Sequence, residues 1–358
     1  MPSPRSDLRA AVGPVPVTGG VKTHIEALLR NSRHALSVIR YSRWSPFYPG
    51  YPGLGSALHR HESLPRWDPY GFAYRHLLLR RFDVVHTHAH PVWPAPYRVP
   101  AGPRRIQTVH QLYEREDAED ERHWRLLKNL NAEMVQVCRG MDRVVAVSKA
   151  LADLLSDRHR VDAIVIPNGI EFHPPPVAER ELPGALPRDG YALFVGHAAS
   201  VKRPDLFIRL AGALPDRPFA MVGPDLSLPS LERRFGPLPP NLVALGPLDN
   251  AHARWLMRHA RVVVQTSARE SASIVVLEAL AERTRVIAPA LPCNRELFAP
   301  DLTLYEVDDF GSLLDLTERT WEMPNPTAES IERLRSRHDI RLVAGRIDDL
   351  YAEAAGGR

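Results

Sequence analysis

The feature that most constrains this chain is an alternation that runs twice along it. Short β-branched segments take turns with amphipathic stretches of helical period, and a proline-rich break separates the two series. Apolar strands joined by helical crossovers need cover on both sheet faces, so the pattern predicts α/β architecture with parallel, doubly wound sheets. With 358 residues there is length for two cores.

In the first series, strands are expected at Leu8–Val12, Ala35–Arg40, Asp83–His86, Arg104–Val109, Arg143–Val147 and Ala163–Ile166. Helices are expected at Val21–Arg30, Phe72–Arg80, Asp120–Arg139 and Lys149–Leu155. The segment Ser42–Asp68, rich in proline, glycine and aromatics, reads as a long irregular loop. Phe172–Asp189 holds five prolines and reads as a linker. The second series runs through strand Tyr191–Val195, helix Pro204–Ala213, strands Phe219–Val222 and Leu242–Leu245, and helix Asn250–His259. Strand Val262–Gln265, helix Ile274–Glu282 and strand Val286–Ala288 complete it. Thr327–Ala355 is helical by spacing. The expected domains are 1–171, a linker at 172–189, a second domain at 190–326, and C-terminal helices at 327–358. Those helices are candidates for packing back on the N-terminal domain.

Composition excludes several classes. No apolar run is long enough to span a bilayer, and the first residues lack the apolar core of a signal peptide. Cys138 and Cys293 make neither a disulfide framework nor a zinc site, which fits a reducing cytoplasm. Residues 1–170 carry 24 Lys+Arg against 16 Asp+Glu, and residues 171–358 carry 22 against 26. A basic first half suits an anionic acceptor or a peripheral contact with the inner membrane face; a solvated surface explains it equally. No basic–aromatic repeat points to nucleic acid. Only Lys22, Lys128, Lys149 and Lys202 are lysines against 42 arginines, so each retained lysine hints that a compact ammonium is wanted.

Two segments carry chemistry. Thr18-Gly19-Gly20-Val21 precedes a helix; its glycines let a ligand approach the backbone, and the helix N-terminus favours an anion such as a diphosphate. A plain tight turn uses the same residues. Glu270-Ser-Ala-Ser-Ile-Val-Val-Leu-Glu278 follows an apolar strand, with Ser271 or Ser273 as helix cap. Glu270 on the loop could accept hydrogen bonds from sugar hydroxyls, and Glu278 in the helix from ribose hydroxyls. No GxGxxG fingerprint supports a nicotinamide enzyme. His86, His88 and His90 alternate at one strand end, but no cysteine or carboxylate completes a metal site, so none is expected. The acidic run Glu114–Glu121 reads as a helix N-terminus enriched in acids. The loop Tyr41–Trp67, with Trp44, Tyr48, Tyr51, Arg66 and Trp67, could stack against an acceptor sugar or pack itself down.

The two glutamates separated by seven residues, with Ala279-Leu280-Ala281 after them, resemble the ExFGxxxLEAxA hallmark of the large retaining glycosyltransferase family with the GT-B fold, glycosyltransferase family 4. Further segments follow in that family's order. They are Gly19-Gly20-Val21-Lys22-Thr23-His24, Asp83-Val84-Val85-His86-Thr87-His88, Thr108-Val109-His110, Val147-Ser148-Lys149-Ala150-Leu151, Ile166-Pro167-Asn168-Gly169-Ile170, and Phe194-Val195-Gly196-His197 through Lys202-Arg203.

The resemblance implies two Rossmann-like doubly wound domains facing a central cleft, with a nucleotide-diphosphate sugar as donor and no metal or other cofactor. Gly19 and Gly20 would offer backbone to the diphosphate, Lys202 would clamp it, and Glu270 would contact the sugar. Glu278 would hold the ribose, and His110 would lie near the anomeric carbon. Ser271, Ala272, Ser273 and Ile274 would complete the donor loop, and Glu296 lies in a loop near the donor. Trp44, Trp67, His88 and Tyr113 are the acceptor-side candidates. Three departures stand out. His197 occupies the place of a phosphate-clamping arginine, Arg203 could partly substitute for it, and Ala272-Ser273 replaces the usual Phe-Gly, which reshapes the sugar pocket. The implied activity is retaining transfer of a hexose-type sugar to a small-molecule, glycan or lipid acceptor, in bacterial natural-product or cell-envelope synthesis. A nucleotide-sugar epimerase or phosphorylase on the same fold, or a non-catalytic nucleotide-binding subunit, are the alternatives.

Overall fold

The computed structural model describes residues 8–13, 19–41, 61–64, 80–88, 102–173, 186–187 and 190–356. They form two compact units: Met1–Leu112, Lys128–Gly169 and Arg337–Arg358 in the first, Tyr113–Leu127 and Ile170–Ser336 in the second.

In the first unit, strands β1 (Ala10–Gly13), β2 (Leu36–Tyr41), β3 (His61–Leu64), β4 (Val84–His88), β5 (Arg104–Val109), β6 (Arg143–Ala146) and β7 (Ile164–Val165) form one sheet. Their order is β3-β2-β1-β4-β5-β6-β7, and every pairing is parallel. Helices α1 (Gly20–Asn31), α2 (Glu121–Arg139) and α3 (Lys149–His159) follow β1, β5 and β6, and the division between units falls inside α2, with Lys128 onward in the first. Ser148 caps α3 by accepting from the Leu151 amide, which gives the Val147–Leu151 segment a local structural role.

The second unit contains β8 (Ala192–Val195), α4 (Pro204–Ala213), β9 (Phe219–Val222), α5 (Leu228–Phe235), β10 (Leu242–Gly246) and α6 (Asn250–His259). It continues through β11 (Val262–Val264), α7 (Ile274–Ala281), β12 (Arg285–Pro289), α8 (Pro292–Phe298), β13 (Thr303–Tyr305) and α9 (Phe310–Glu322). The parallel sheet order is β10-β9-β8-β11-β12-β13. Alternate residues divide between its faces: Ala192, Phe194, Met221 and Val264 enter one core, Leu193, Ala220, Val222 and Val263 the other. Gly223 has φ 144, and a Cβ there would fall 1.7 Å from the Gly196 carbonyl oxygen, so only glycine lets these two strand-end turns meet.

Strand order reverses between β1 and β4 in the first sheet and between β8 and β11 in the second. Doubly wound sheets bind ligands outside the carboxyl ends of their strands at such switch points. That places the candidate sites near Gly13 and His88 in one unit, and near Gly196 and Gln265 in the other.

The tail contains α10 (Ala328–His338) and α11 (Ile340–Gly356), and the division between units falls inside α10. Helix α11 packs on the first sheet through Val343, Ile347, Leu350 and Tyr351. Each such side chain contributes about 1.5–3 kcal/mol on leaving water. Doubling a connecting loop costs only roughly 0.6 kcal/mol of closure entropy, so the return of the chain is favourable. Asp348, fully buried, accepts from Ser32 Oγ at 2.6 Å and the Arg33 amide at 2.7 Å and pins α11 to the end of α1.

Several expectations need correction. The first unit is not the continuous stretch 1–171, because Tyr113–Leu127 belongs to the second unit. Within the expected loop Ser42–Asp68, His61–Leu64 forms β3 in parallel register with Val38–Tyr41. His-Glu-Ser-Leu has no apolar period to announce a strand; backbone pairing with a neighbour decides it. The linker ends are anchored, since Phe172 and Leu186 are buried in the second unit's core. Helices α5, α8 and α9 and strand β13 were not expected. Pro292 at the start of α8 reads as a breaker but is suited to a first helical turn. Trp44, Tyr48, Tyr51, Arg66, Trp67, His90 and the expected helix from Phe72 lie outside the described residues.

Candidate donor and acceptor sites

In the first unit, Gly19 has φ 90 and precedes α1, which begins at Gly20 without a side-chain cap. Among the described residues no side chain caps the first amides of α1, and free amides at a helix start suit an anion. His24 is on the same helix, and His86 and His88 end β4. Thr108 lies near the end of β5 and His110 directly follows it.

Four imidazoles cluster there. His88 Nδ1 lies 3.0 Å from His110 Nε2, and the two rings stack with centroids 5.3 Å apart. His24 stands edge-on to His110 at 5.9 Å. The Gly169 amide donates to His24 Nδ1 at 3.3 Å, which leaves the proton of the neutral ring on Nε2. His86 is held on both sides, by Tyr351 Oη and Thr108 Oγ1, each at 2.7 Å. Burial is the main force on all four: it lowers His24 to about 4 and His86 to about 3, and holds His88 and His110 well below 6.5. They are neutral donors and acceptors, not cations. His86 has no nitrogen left for a metal, and among the described residues no group of His, Cys, Asp and Glu could hold one.

In the second unit, Lys202 ends a 3-10 turn, Ser200–Lys202, after β8. Its Nζ lies 2.6 Å from Glu270 Oε1. Thr266 Oγ1 donates to the Lys202 carbonyl at 2.8 Å and the Ala268 amide to the Val201 carbonyl at 2.8 Å, so the two loops are stitched together. Glu270 Oε1 also accepts from Ser267 Oγ at 2.8 Å and Gln265 Nε2 at 3.2 Å. Its Oε2 makes no hydrogen bond among the described residues. Ser273 is the cap of α7, accepting from the Val276 amide; Ser271 is not. Ser271 and Ala272 are half-buried beside it, and Ile274 is buried.

Glu278 is 4% exposed and accepts from Asn250 Nδ2 at 2.7 Å. Burial raises its pKa, opposed by the Arg254 charge and the Asn250 bond. Arg254, itself buried, bonds Glu282 at 2.7 Å and the Glu171 carbonyl at 2.6 Å.

Other candidates fall differently. His197 is half-buried; burial and then the Lys202 charge lower its pKa, against the pull of Asp225. The lowered value keeps it uncharged at neutral pH, in the place where the resemblance implies an arginine. The Arg203 guanidinium faces Asp308 at 2.6 Å and Asp205 at 3.4 Å, so a phosphate there competes with two carboxylates. Glu296 is half-buried on α8. Tyr113 is half-buried and belongs to the second unit. The acidic run divides: Arg115–Asp117 is a separate 3-10 turn, and Asp117 pairs with Arg269 beside Glu270.

Sequence reasoning missed Gln265, Ser267, Asn250 and Asn294. Gln265 had one signal, a buried-type position at the end of Val262–Val264 filled by an amide.

Comparison with known proteins identifies the family. Residues 18–173 match the model of Glycosyltransferase Family 4, and residues 179–333 that of Glycosyl transferases group 1. No curated protein sequence matches. Among solved structures, sucrose-phosphate synthase from Thermosynechococcus elongatus is similar at 16% identity over 98% of this chain and 100% of that one, with TM-score 0.69. A glycosyltransferase from Rickettsia africae is similar at 16% identity, over 99% and 100%, with TM-score 0.69. Anabaena HepE in complex with UDP and glucose is similar at 14% identity, over 97% and 100%, with TM-score 0.68. With the two family models together matching most of its length, the chain belongs to the GT-B glycosyltransferases, pairing a family 4 first half with a group 1 second half.

Proposed function

We propose that this protein transfers a hexose-type sugar, with retention, from a nucleoside-diphosphate donor to a small-molecule, glycan or lipid acceptor. One observation carries the donor assignment. At the switch point of the second sheet, a lysine and a largely buried carboxylate are joined at 2.6 Å, with the other carboxylate oxygen unbonded among the described residues. Lys202 has the charge to stabilise a leaving diphosphate, helped by the N-terminus of α7. Glu270 Oε2 is an acceptor for a sugar hydroxyl, and Glu278 an acceptor for ribose. In the first unit, neutral His110, bonded to His88, is assigned to the sugar or to charge developing at its anomeric carbon.

Lysine and helix amides meet the diphosphate charge in this scheme, so no metal is called for. A front-face mechanism, in which the leaving phosphate takes the acceptor's proton, completes the scheme, with Glu270 holding a sugar hydroxyl rather than attacking the anomeric carbon. UDP-glucose heads the donor panel, because the similar HepE structure holds UDP and glucose. The acceptor is assigned to the first unit. The two unpaired cysteines, both buried, support a reducing cytoplasm and a bacterial biosynthetic setting is kept from the arginine-rich composition. No helix among the described residues is long and apolar enough to cross a membrane.

The test is transfer of label from a panel of nucleotide sugars, with Lys202→Ala alongside. Transfer that Lys202→Ala abolishes, together with weakened nucleotide binding, supports the assignment. No transfer, with nucleotide binding indifferent to Lys202, sinks it. A second reading rests on neutral His197 and on Arg203 paired elsewhere: a binding subunit with a weakened clamp. Tight nucleotide binding without turnover favours that reading.

A further inference from the structure

We propose that Gln265 is a positioning residue for sugar transfer, holding Glu270 so that Oε2 alone is offered to the donor. This rests on the donor assignment above.

The orientation of its amide follows from chemistry. Asn294, fully buried on α8, donates Nδ2 to the Pro289 carbonyl at 2.9 Å, and a carbonyl can only accept. The same Nδ2 lies 3.0 Å from the Gln265 side chain, so the atom facing it is Oε1. The Gln265 NH2 is then turned towards Ser273 Oγ at 2.8 Å and Glu270 Oε1 at 3.2 Å. Tyr305 Oη anchors the backbone carbonyl of Gln265 at 3.2 Å. An amide buried to 7% exposure at the end of a valine strand is costly unless its bonds are made, and here they are made.

Lys202 is the only charged group bonded to Glu270 among the described residues, and it is the group the diphosphate must share. When Lys202 turns to phosphate, Glu270 keeps two donors, Ser267 from its own loop and Gln265. Gln265 is the one braced by a different helix, through Asn294. It also joins Glu270 to Ser273, the cap of the helix that carries Glu278. One amide thereby fixes the sugar-facing carboxylate against the ribose-facing helix.

Gln265→Leu removes the donor. Gln265→Glu keeps the shape but donates to Glu270 only when its carboxyl is protonated. The test measures kcat and KM for the nucleotide sugar that the wild type uses, across pH. Alongside it, binding of UDP, GDP, ADP and dTDP is measured by calorimetry, and thermal unfolding is recorded. The expected result is a fall in kcat of about a hundredfold in Gln265→Leu at every pH, with diphosphate affinity changed less than about threefold, since the variant leaves Lys202 and the helix amides assigned to the diphosphate in place. Gln265→Glu should show the same loss at neutral pH and recover as pH falls, measured at a temperature where thermal unfolding shows the variant fully folded at every pH used, so that the recovery is one of Glu270 positioning and not of fold. A wild-type enzyme matched by both variants, or a Gln265→Glu loss with no recovery at low pH, overturns this role alone. A wild type that binds none of the four diphosphates overturns the donor assignment as well. Variants that unfold at the assay temperature while Gln265→Asn keeps fold and full activity also overturn it, because asparagine is too short to reach Glu270.

Discussion

Lys202 Nζ lies 2.6 Å from Glu270 Oε1, so the cation suited to phosphate is already paired with the carboxylate suited to sugar. The pair is only partly exposed, at 30% and 11% of the two side chains. A diphosphate entering the site competes with Glu270 for the ammonium. Glu270→Gln should leave nucleoside diphosphate binding equal or tighter, because Lys202 is released, while transfer falls about a hundredfold. Lys202→Ala should weaken the diphosphate by roughly ten- to a hundredfold, the scale of a charged hydrogen bond. Calorimetry with UDP and a transfer assay separate the two; parallel losses in both variants would count against this competition.

Glu278 sets function against stability. Burial raises its pKa, so the folded state keeps its proton where the unfolded chain has lost it. Its contribution is fully present below the ordinary carboxylate value of about 4.3 and is lost as pH rises through the raised folded value. Glu278→Gln should therefore be as stable as the wild type or more so at about pH 8, while nucleotide affinity drops roughly tenfold with the ribose acceptor. Thermal unfolding at acid and alkaline pH, with nucleotide titration, checks both halves. A variant clearly less stable at alkaline pH would refute the prediction.

The histidine cluster predicts acid sensitivity. His24 and His86 have folded values of about 4 and about 3, below the ordinary 6.5. Depressed bases stabilise the fold fully above the unfolded value and lose that contribution as pH falls through the folded one. Between those limits the slope is roughly 1.4 kcal/mol per pH unit for each histidine. Urea unfolding at several pH values from about 7.5 down to about 4 measures it. His86→Gln should flatten the curve; an unchanged slope would mean that His86 does not titrate on unfolding.

Asp117 and Arg269 form a pair whose side chains are 10% and 23% exposed. The Asp117 turn also packs against the Ser200–Lys202 turn. Asp117→Ala takes the carboxylate away from the Arg269 guanidinium beside Glu270 and should cost about 1–3 kcal/mol. Arg269→Ala added to it should restore part of the loss. A double-mutant cycle reads the coupling, and additive effects would show that the pair does not act as one.

How legible the site was depends on which residues are considered. Lys202, Glu270 and Ser273 stand in motifs whose local shape is written in neighbouring residues: a lysine after a strand-end turn, a serine that caps a helix. The partner of each is far away in sequence. Nothing near Gln265 announces Asn294, and nothing near Glu278 announces Asn250, since a hydrogen bond across 28 or 29 positions leaves no periodicity. Arg203 looked available beside Lys202 because Asp308 lies 105 residues on. The His86–His90 alternation suggested a shared face, but only packing showed that Tyr351 and Thr108 occupy both nitrogens of His86.

Read alone, the amino-acid order determined the α/β class, the two series of strands and the ordered motifs at strand ends, because apolar period and capping are local properties of the chain. Tertiary structure decided the rest. It added β3 by pairing, assigned Tyr113–Leu127 to the second unit and brought α11 back onto the first sheet. It also made four histidines neutral and left one oxygen of Glu270 unbonded among the described residues. Burial and hydrogen-bond partners are set by residues distant in sequence, and those partners exist only once the chain has folded.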